Sequence, residues 1–175
     1  MIDKKFFNNL KLSYKKTQAT RYLLSNLAGE AQRLSKQSIF AAQRQDINSA
    51  DDLLKAAASL LKKGQGFIKK VQDLENLGVY RAALEEYVEA KLFLDVLKGQ
   101  PIAGLTGFKI LPEVYLGAVS DLVGEMVRLA VNYAAQSKIR EVKELQALAT
   151  ELVSRLAEFN LTGRDVANLI RLNAI

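Results

Sequence analysis

Apolar residues recur along most of this chain at three- and four-residue steps, the spacing that lines one side of an α-helix. In residues 4–44 the stripe passes through Phe6, Leu10, Leu24, Leu27, Ala31, Leu34 and Phe40, so the pattern predicts one long first helix, bent at Gly29. Asp46 to Ser49 is a polar break, and Ser49 with Asp52 three residues on resembles a capping box that opens a second helix. That helix is expected to reach about residue 74, with Gly64 and Gly66 as its weakest point because each costs about 1 kcal/mol relative to alanine. A third helix, 79–98, stops at Gly99-Gln100-Pro101, where Gly accepts the left-handed cap conformation and Pro cannot continue. Pro112 suits the first position of a fourth, 112–135. A fifth covers 138–159, and Thr162 with Asp165 opens a short last one through 172.

Composition supports this reading. With two prolines, ten glycines and 49% apolar residues in 175, and neither a linker nor an internal repeat, the expectation is a single all-α domain over residues 1–175. Its form is an antiparallel bundle of about six or seven helices. No stretch is apolar enough to span a membrane, and the charged residues 1–16 do not read as a signal peptide, so a cytoplasmic location is expected. The absence of cysteine and histidine removes disulfides, thiol nucleophiles, imidazole triads and the usual zinc sites.

Charge is unevenly placed. The net charge is +6, yet fourteen basic and seven acidic residues fall in the first 75, whereas the remainder holds eleven and twelve. A polyanion-binding face on the early helices would explain this, as would a solvated helix surface. The acidic residues also interrupt the stripes. Glu86 and Glu89 lie on the third helix in the row of Ala82, Phe93 and Val96, and Asp121 and Glu125 lie on the fourth in the row of Val114, Ala118 and Leu129. Carboxylates brought together in a partly buried pocket repel and resist ionisation unless a cation neutralises them. With oxygen ligands alone, that cation is Mg²⁺ or Mn²⁺. The alternative is that these acids pair with arginines such as Arg81 or Arg128, or simply face water.

Three ordered stretches carry a resemblance. Ser35-Lys36-x-x-Ile39-Phe40-x-x-x-Arg44, then Glu86-Tyr87-Val88-Glu89-Ala90, then Tyr115-Leu116-x-x-Val119-x-Asp121-Leu122-x-Gly124-Glu125-x-x-Arg128 with Asn132, resemble the translin superfamily, and within it the catalytic translin-associated factor X branch. The resemblance implies an all-helical subunit of a closed, usually octameric shell that takes single-stranded nucleic acid inside. It also implies a Mg²⁺-dependent endoribonuclease, because Glu86, Glu89, Asp121 and Glu125 fall on that branch's acidic catalytic positions, a set translin itself lacks. With one chain, the implied assembly is a homo-oligomer, a homo-octamer or another closed ring. Where the family commonly has Asp-Tyr-Leu, this chain has Val114-Tyr115-Leu116, with Glu113 one residue earlier as a partial substitute.

The expected chemistry is hydrolysis of an RNA phosphodiester, with the four carboxylates as catalytic and metal ligands and Glu89 the most sensitive. Arg33, Lys36, Arg44 and Arg128 are the expected phosphate contacts, binding backbone charge without reading bases. Lys62, Lys63, Lys69 and Lys70 are read as surface charges. Tyr87, Tyr115, Phe40 and Phe93 have faces suited to base stacking, but their helical spacing favours core packing. Subunit contacts are expected near Leu97 and Ile102 and at Leu169, Ile170 and Leu172. The competing readings are a non-catalytic shell that binds single-stranded RNA or DNA, and a helical scaffold whose acids sit in ion-pair networks.

Overall fold

The computed structural model describes residues 2–68, 74 and 77–159. Among them run five α-helices and no strand: α1 (Lys4–Gln43), α2 (Ile47–Ile68), α3 (Gly78–Leu97), α4 (Pro112–Ala135) and α5 (Ile139–Ala157). The all-α reading and four of the five helix starts therefore match the sequence pattern to within a residue. The final helix expected at 162–172 lies outside the described residues, as do Lys69, Lys70, Leu169, Ile170 and Leu172.

α1 packs against α2 and α3, α3 against α4, and α4 against α5. Small side chains make the α1–α2 contact close: Ala28, Ala31, Ser35 and Ala42 face Ala50, Ala57 and Gly64, and Ser38 Oγ donates 2.7 Å to the carbonyl of Ala50. Gly64 is not a weak point. A methyl group there would stand 2.9 Å from Leu24 Cδ1 and 3.1 Å from Tyr80 Cε2, so the missing Cβ is what lets three helices meet. α1 also continues unbroken through Gly29.

Three helices end in the same way. After α1, Gln45 takes φ 64° and the Asp46 amide bonds the Ala41 carbonyl; after α3, Gly99 takes φ 65° and Gln100 bonds Asp95; after α4, Ser137 takes φ 59° and Lys138 bonds Tyr133. These are Schellman motifs, which reuse the last carbonyls of each helix. The second helix begins three residues earlier than the Ser49–Asp52 pair suggests, because the Asp46 carboxylate itself accepts from the Ser49 amide at 3.1 Å and takes the N-cap role.

Phe93, Leu92, Leu122, Met126 and Leu24 are fully enclosed at the centre of the bundle. Leu97 and Ile102 pack, partly buried, onto this core. Tyr87 meets Phe108 edge-on at 5.2 Å, and the Tyr115 hydroxyl donates 2.9 Å to the Ala103 carbonyl, so both tyrosines fasten the 98–111 connection. None of the described helices is long and apolar enough to cross a membrane.

Candidate active site

The acidic residues of α3 point between its two neighbours. Glu86 faces α1, where Lys36 Nζ lies 3.6 Å from its Oε2, and Glu85 faces α4, its carboxylate lying against the backbone of Gly117. Between them, Glu89 is only 7% exposed. On α4, Glu125 turns toward α1. Gln43 Nε2 donates to Glu125 Oε2 at 2.8 Å and to the Glu125 carbonyl at 2.9 Å, and Arg128 approaches Oε1 at 3.4 Å. The three helices α1, α3 and α4 thus enclose one acidic pocket.

Glu89 registers this enclosure most strongly. Burial, reinforced by the charges of Glu86, Asp121 and Glu125, pushes its carboxyl up to about 9, so Glu89 holds its proton at neutral pH. Burial also raises the Glu86 carboxyl; Lys36 works in the opposite direction, and the charge of Asp121 adds to the rise. The two pairs anticipated on separate helices therefore act on one another across the α3–α4 interface. Asp121 itself is half-buried and engaged.

The donor set suits a hard cation. Four carboxyl groups supply oxygen donors, and the buried Gln43 Oε1, beside Glu125, accepts no hydrogen bond among the described residues. An unpaired buried acceptor is costly and has a ready use as a partner for a hydrated ion. Among the described residues no three acidic side chains stand close enough together to form a finished metal cage. In this arrangement the Glu86 carboxylate is paired with Lys36, and that of Glu125 with Gln43 and Arg128.

Of the four anticipated phosphate contacts, two meet the acidic residues. Lys36 and Arg128 touch its acids directly. Arg33 is exposed and chelates Glu30 at 2.6 and 2.9 Å, an intrahelical pair that solvent keeps weak. Arg44 is exposed at the C-cap of α1. Lys62 and Lys63 lie on the exposed side of α2, as expected for surface charges. Glu113 does not join the acidic group: it is exposed and bonds Arg81 at 2.5 Å, about 12 Å along α4 from Asp121.

Sequence reasoning missed Gln43 and Glu85. Glu85 was in principle accessible, since it lies four residues before Glu89 on the same stripe. Gln43 carries no such signal, because its role depends on α1 crossing α4. The aromatic expectation also needs one correction. Phe93 and Tyr87 are core residues and Tyr115 is half-buried, but Phe40 is 51% exposed, because at its position the side chain points off the α1 face that packs on α2 and α3.

The translin family model matches residues 11–171. Among solved structures, apo-NeC3PO superposes with a TM-score of 0.87 at 23% identity, over 99% of this chain and 92% of that one. AfC3PO in complex with duplex RNA gives 0.83 at 18% identity, over 96% and 93%. AfC3PO in a further crystal structure gives 0.80 at 19%, again over 96% and 93%. No curated protein matches this sequence.

Proposed function

This chain belongs to the translin family, and from that premise and the acidic pocket we propose that it is a Mg²⁺- or Mn²⁺-dependent endoribonuclease of the factor X type, cutting single-stranded RNA inside a closed homo-oligomer. The observation that carries the reading is Glu89: a carboxyl buried among three others, at a cost to folding that a structural role alone does not repay. Glu86, Glu89, Asp121 and Glu125 would hold the ion. When bound, it supplies polarisation of the scissile phosphate and a more acidic water.

The remaining work falls to this chain's own groups. Lys36 and Arg128 sit at the mouth of the pocket, where their charges neutralise an incoming phosphodiester; on binding, each exchanges a carboxylate partner for a phosphate oxygen. Gln43 keeps Glu125 turned inward while Arg128 is drawn away. Glu89, which holds its proton at neutral pH, would have to give it up to serve as a ligand, so ion binding would release a proton and strengthen with pH.

The test is cleavage of labelled single-stranded RNA, duplex RNA and single-stranded DNA with Mg²⁺, with Mn²⁺ and with chelator. Cleavage of the single strand that stops in chelator is expected, together with at least a hundredfold loss in Glu89→Gln at unchanged RNA affinity. Turnover that survives both chelator and Glu89→Gln would refute the metal role.

A second reading follows from the pairing of Lys36 with Glu86 and of Arg128 with Glu125. If those ion pairs persist on the bound strand, the protein is a non-catalytic RNA- or DNA-binding oligomer. Salt-sensitive binding without turnover under any divalent ion would select it. The nucleic-acid partner in either case is suggested by AfC3PO, which has been solved with duplex RNA.

A further inference from the structure

We propose that Phe40 is a stacking platform for an unpaired nucleobase at the mouth of the acidic pocket, with Arg33 and Arg44 holding the adjoining phosphates. The inference rests on the nucleic-acid reading above and adds to it a base subsite.

Two contacts fix which side of α1 faces the acids. Lys36 reaches Glu86 at 3.6 Å, and Gln43, seven residues later, reaches Glu125 at 2.8 Å. At 100° per residue these two side chains project within about 20° of one another, roughly 10 Å apart along the helix. Phe40 lies between them along the axis, turned about 40° from Lys36 toward solvent, on the side opposite the buried Ile39. Arg33 and Arg44 project within about 40° of Phe40, one before it and one after. The ring therefore stands on the rim of the pocket in a strip of cations.

That company selects the occupant. A protein partner docking on a large aromatic ordinarily needs further apolar surface around it, and charged side chains are depleted at the centre of such contacts. Phe40 has Arg33, Lys36, Gln37 and Arg44 beside it on its own helix, and each is exposed. An exposed ring among cations is the combination that binds single strands: the face takes a base of any identity while the cations follow the backbone. A base seated on Phe40 places the neighbouring phosphate over Lys36, at the entrance to Glu86 and Glu89. It follows that an unpaired strand is favoured over a duplex, whose bases have no free face to offer.

The experiment uses a short single-stranded oligoribonucleotide carrying 2-aminopurine, bound in chelator so that no cleavage intervenes. Wild type and Phe40→Trp are expected to quench the probe and bind alike. Phe40→Ala is expected to bind roughly 5- to 100-fold more weakly without quenching. An abasic site in the oligonucleotide should weaken wild type by a similar factor and leave Phe40→Ala unaffected, the signature of a direct pair. Equal affinity and quenching in Phe40→Ala would overturn the stacking role while leaving RNA binding intact. So would a drop in assembly mass in Phe40→Ala, which would assign the ring to a subunit contact. Failure of wild type to bind any RNA would remove the nucleic-acid reading as well.

Discussion

The two halves of α1 form one unbroken helix and have opposite surroundings. Between residues 4 and 23 no side chain is buried; six of those twenty are basic, none is acidic, and Phe6, Phe7, Leu10, Leu12 and Tyr14 are exposed. From Leu24 onward each turn delivers Leu, Ala, Ser or Ile into the core, and the outer margin of the same stretch lines the acidic pocket. The 40-residue helix is roughly 60 Å long, about twice the length of α3, so its first half projects from the bundle. Continuity explains how it persists. Starting a helix is the costly step, and the packed half supplies the nucleus from which the projecting half extends at little cost per residue. The exposed apolar positions of the projecting half form the surface a second subunit would cover in the proposed oligomer.

The comparison breaks first on core truncation. Leu24→Ala is expected to cost about 2 to 5 kcal/mol by denaturant unfolding, because the side chain is wholly enclosed and sits against Gly64. Leu10→Ala, at 51% exposure, should change subunit stability by no more than about 0.5 kcal/mol while lowering the assembly mass measured by sedimentation. Equal destabilisation by the two substitutions would contradict the division of α1.

A smaller effect comes from pH and concerns only the packed half. The Glu89 carboxyl sits at about 9 when folded against an ordinary value of 4.5, so the folded state holds the proton more tightly. The stability this contributes is full below about pH 4.5, declines as pH rises through that window and is gone above about pH 9. Metal-free protein should therefore melt at a lower temperature at pH 8 than at pH 5.5. Glu89→Gln should flatten that slope, and Mg²⁺ should raise the pH 8 melting temperature of wild type alone.

Gln43→Ala removes both bonds to Glu125 and is expected to cost about 1 to 2 kcal/mol, with a larger relative loss in divalent-ion affinity than in stability. Loss of stability with ion affinity unchanged would reduce Gln43 to a helix latch. The smallest effect lies at the opposite end of α1. Asp3 accepts from the amides of Lys5 and Phe6, and Asp3→Ala should release about 1 kcal/mol locally, visible as faster amide exchange in the first turn and nowhere in the bundle.

Which parts of this were readable in advance follows the range of the forces involved. Gly99-Gln100-Pro101 and Pro112 mark their helix ends by backbone chemistry that acts within a few residues, and the structure places the ends there. Gln45 and Ser137 adopt the same left-handed cap as Gly99 without being glycine, so composition gave no sign of them. Asp46 outcompetes Ser49 as the cap of α2 because it reaches the Ser49 amide from the turn. At the pocket, spacing placed Glu86 with Glu89 and Asp121 with Glu125 correctly on shared faces, since a helix repeats every 3.6 residues whatever surrounds it.

By itself, then, the order of residues determined the all-helical class, the punctuation by Gly and Pro, the carboxylate pairs and the family. Tertiary structure alone decided that Glu89 is the buried acid, that Gln43 spans from α1 to Glu125, that Gly64 is a packing notch and that Phe40 faces outward. Periodicity states which side chains share a face; it does not say what that face meets. Burial, and with it the proton held by Glu89, depends on atoms brought from distant parts of the chain when α1, α3 and α4 close on one another.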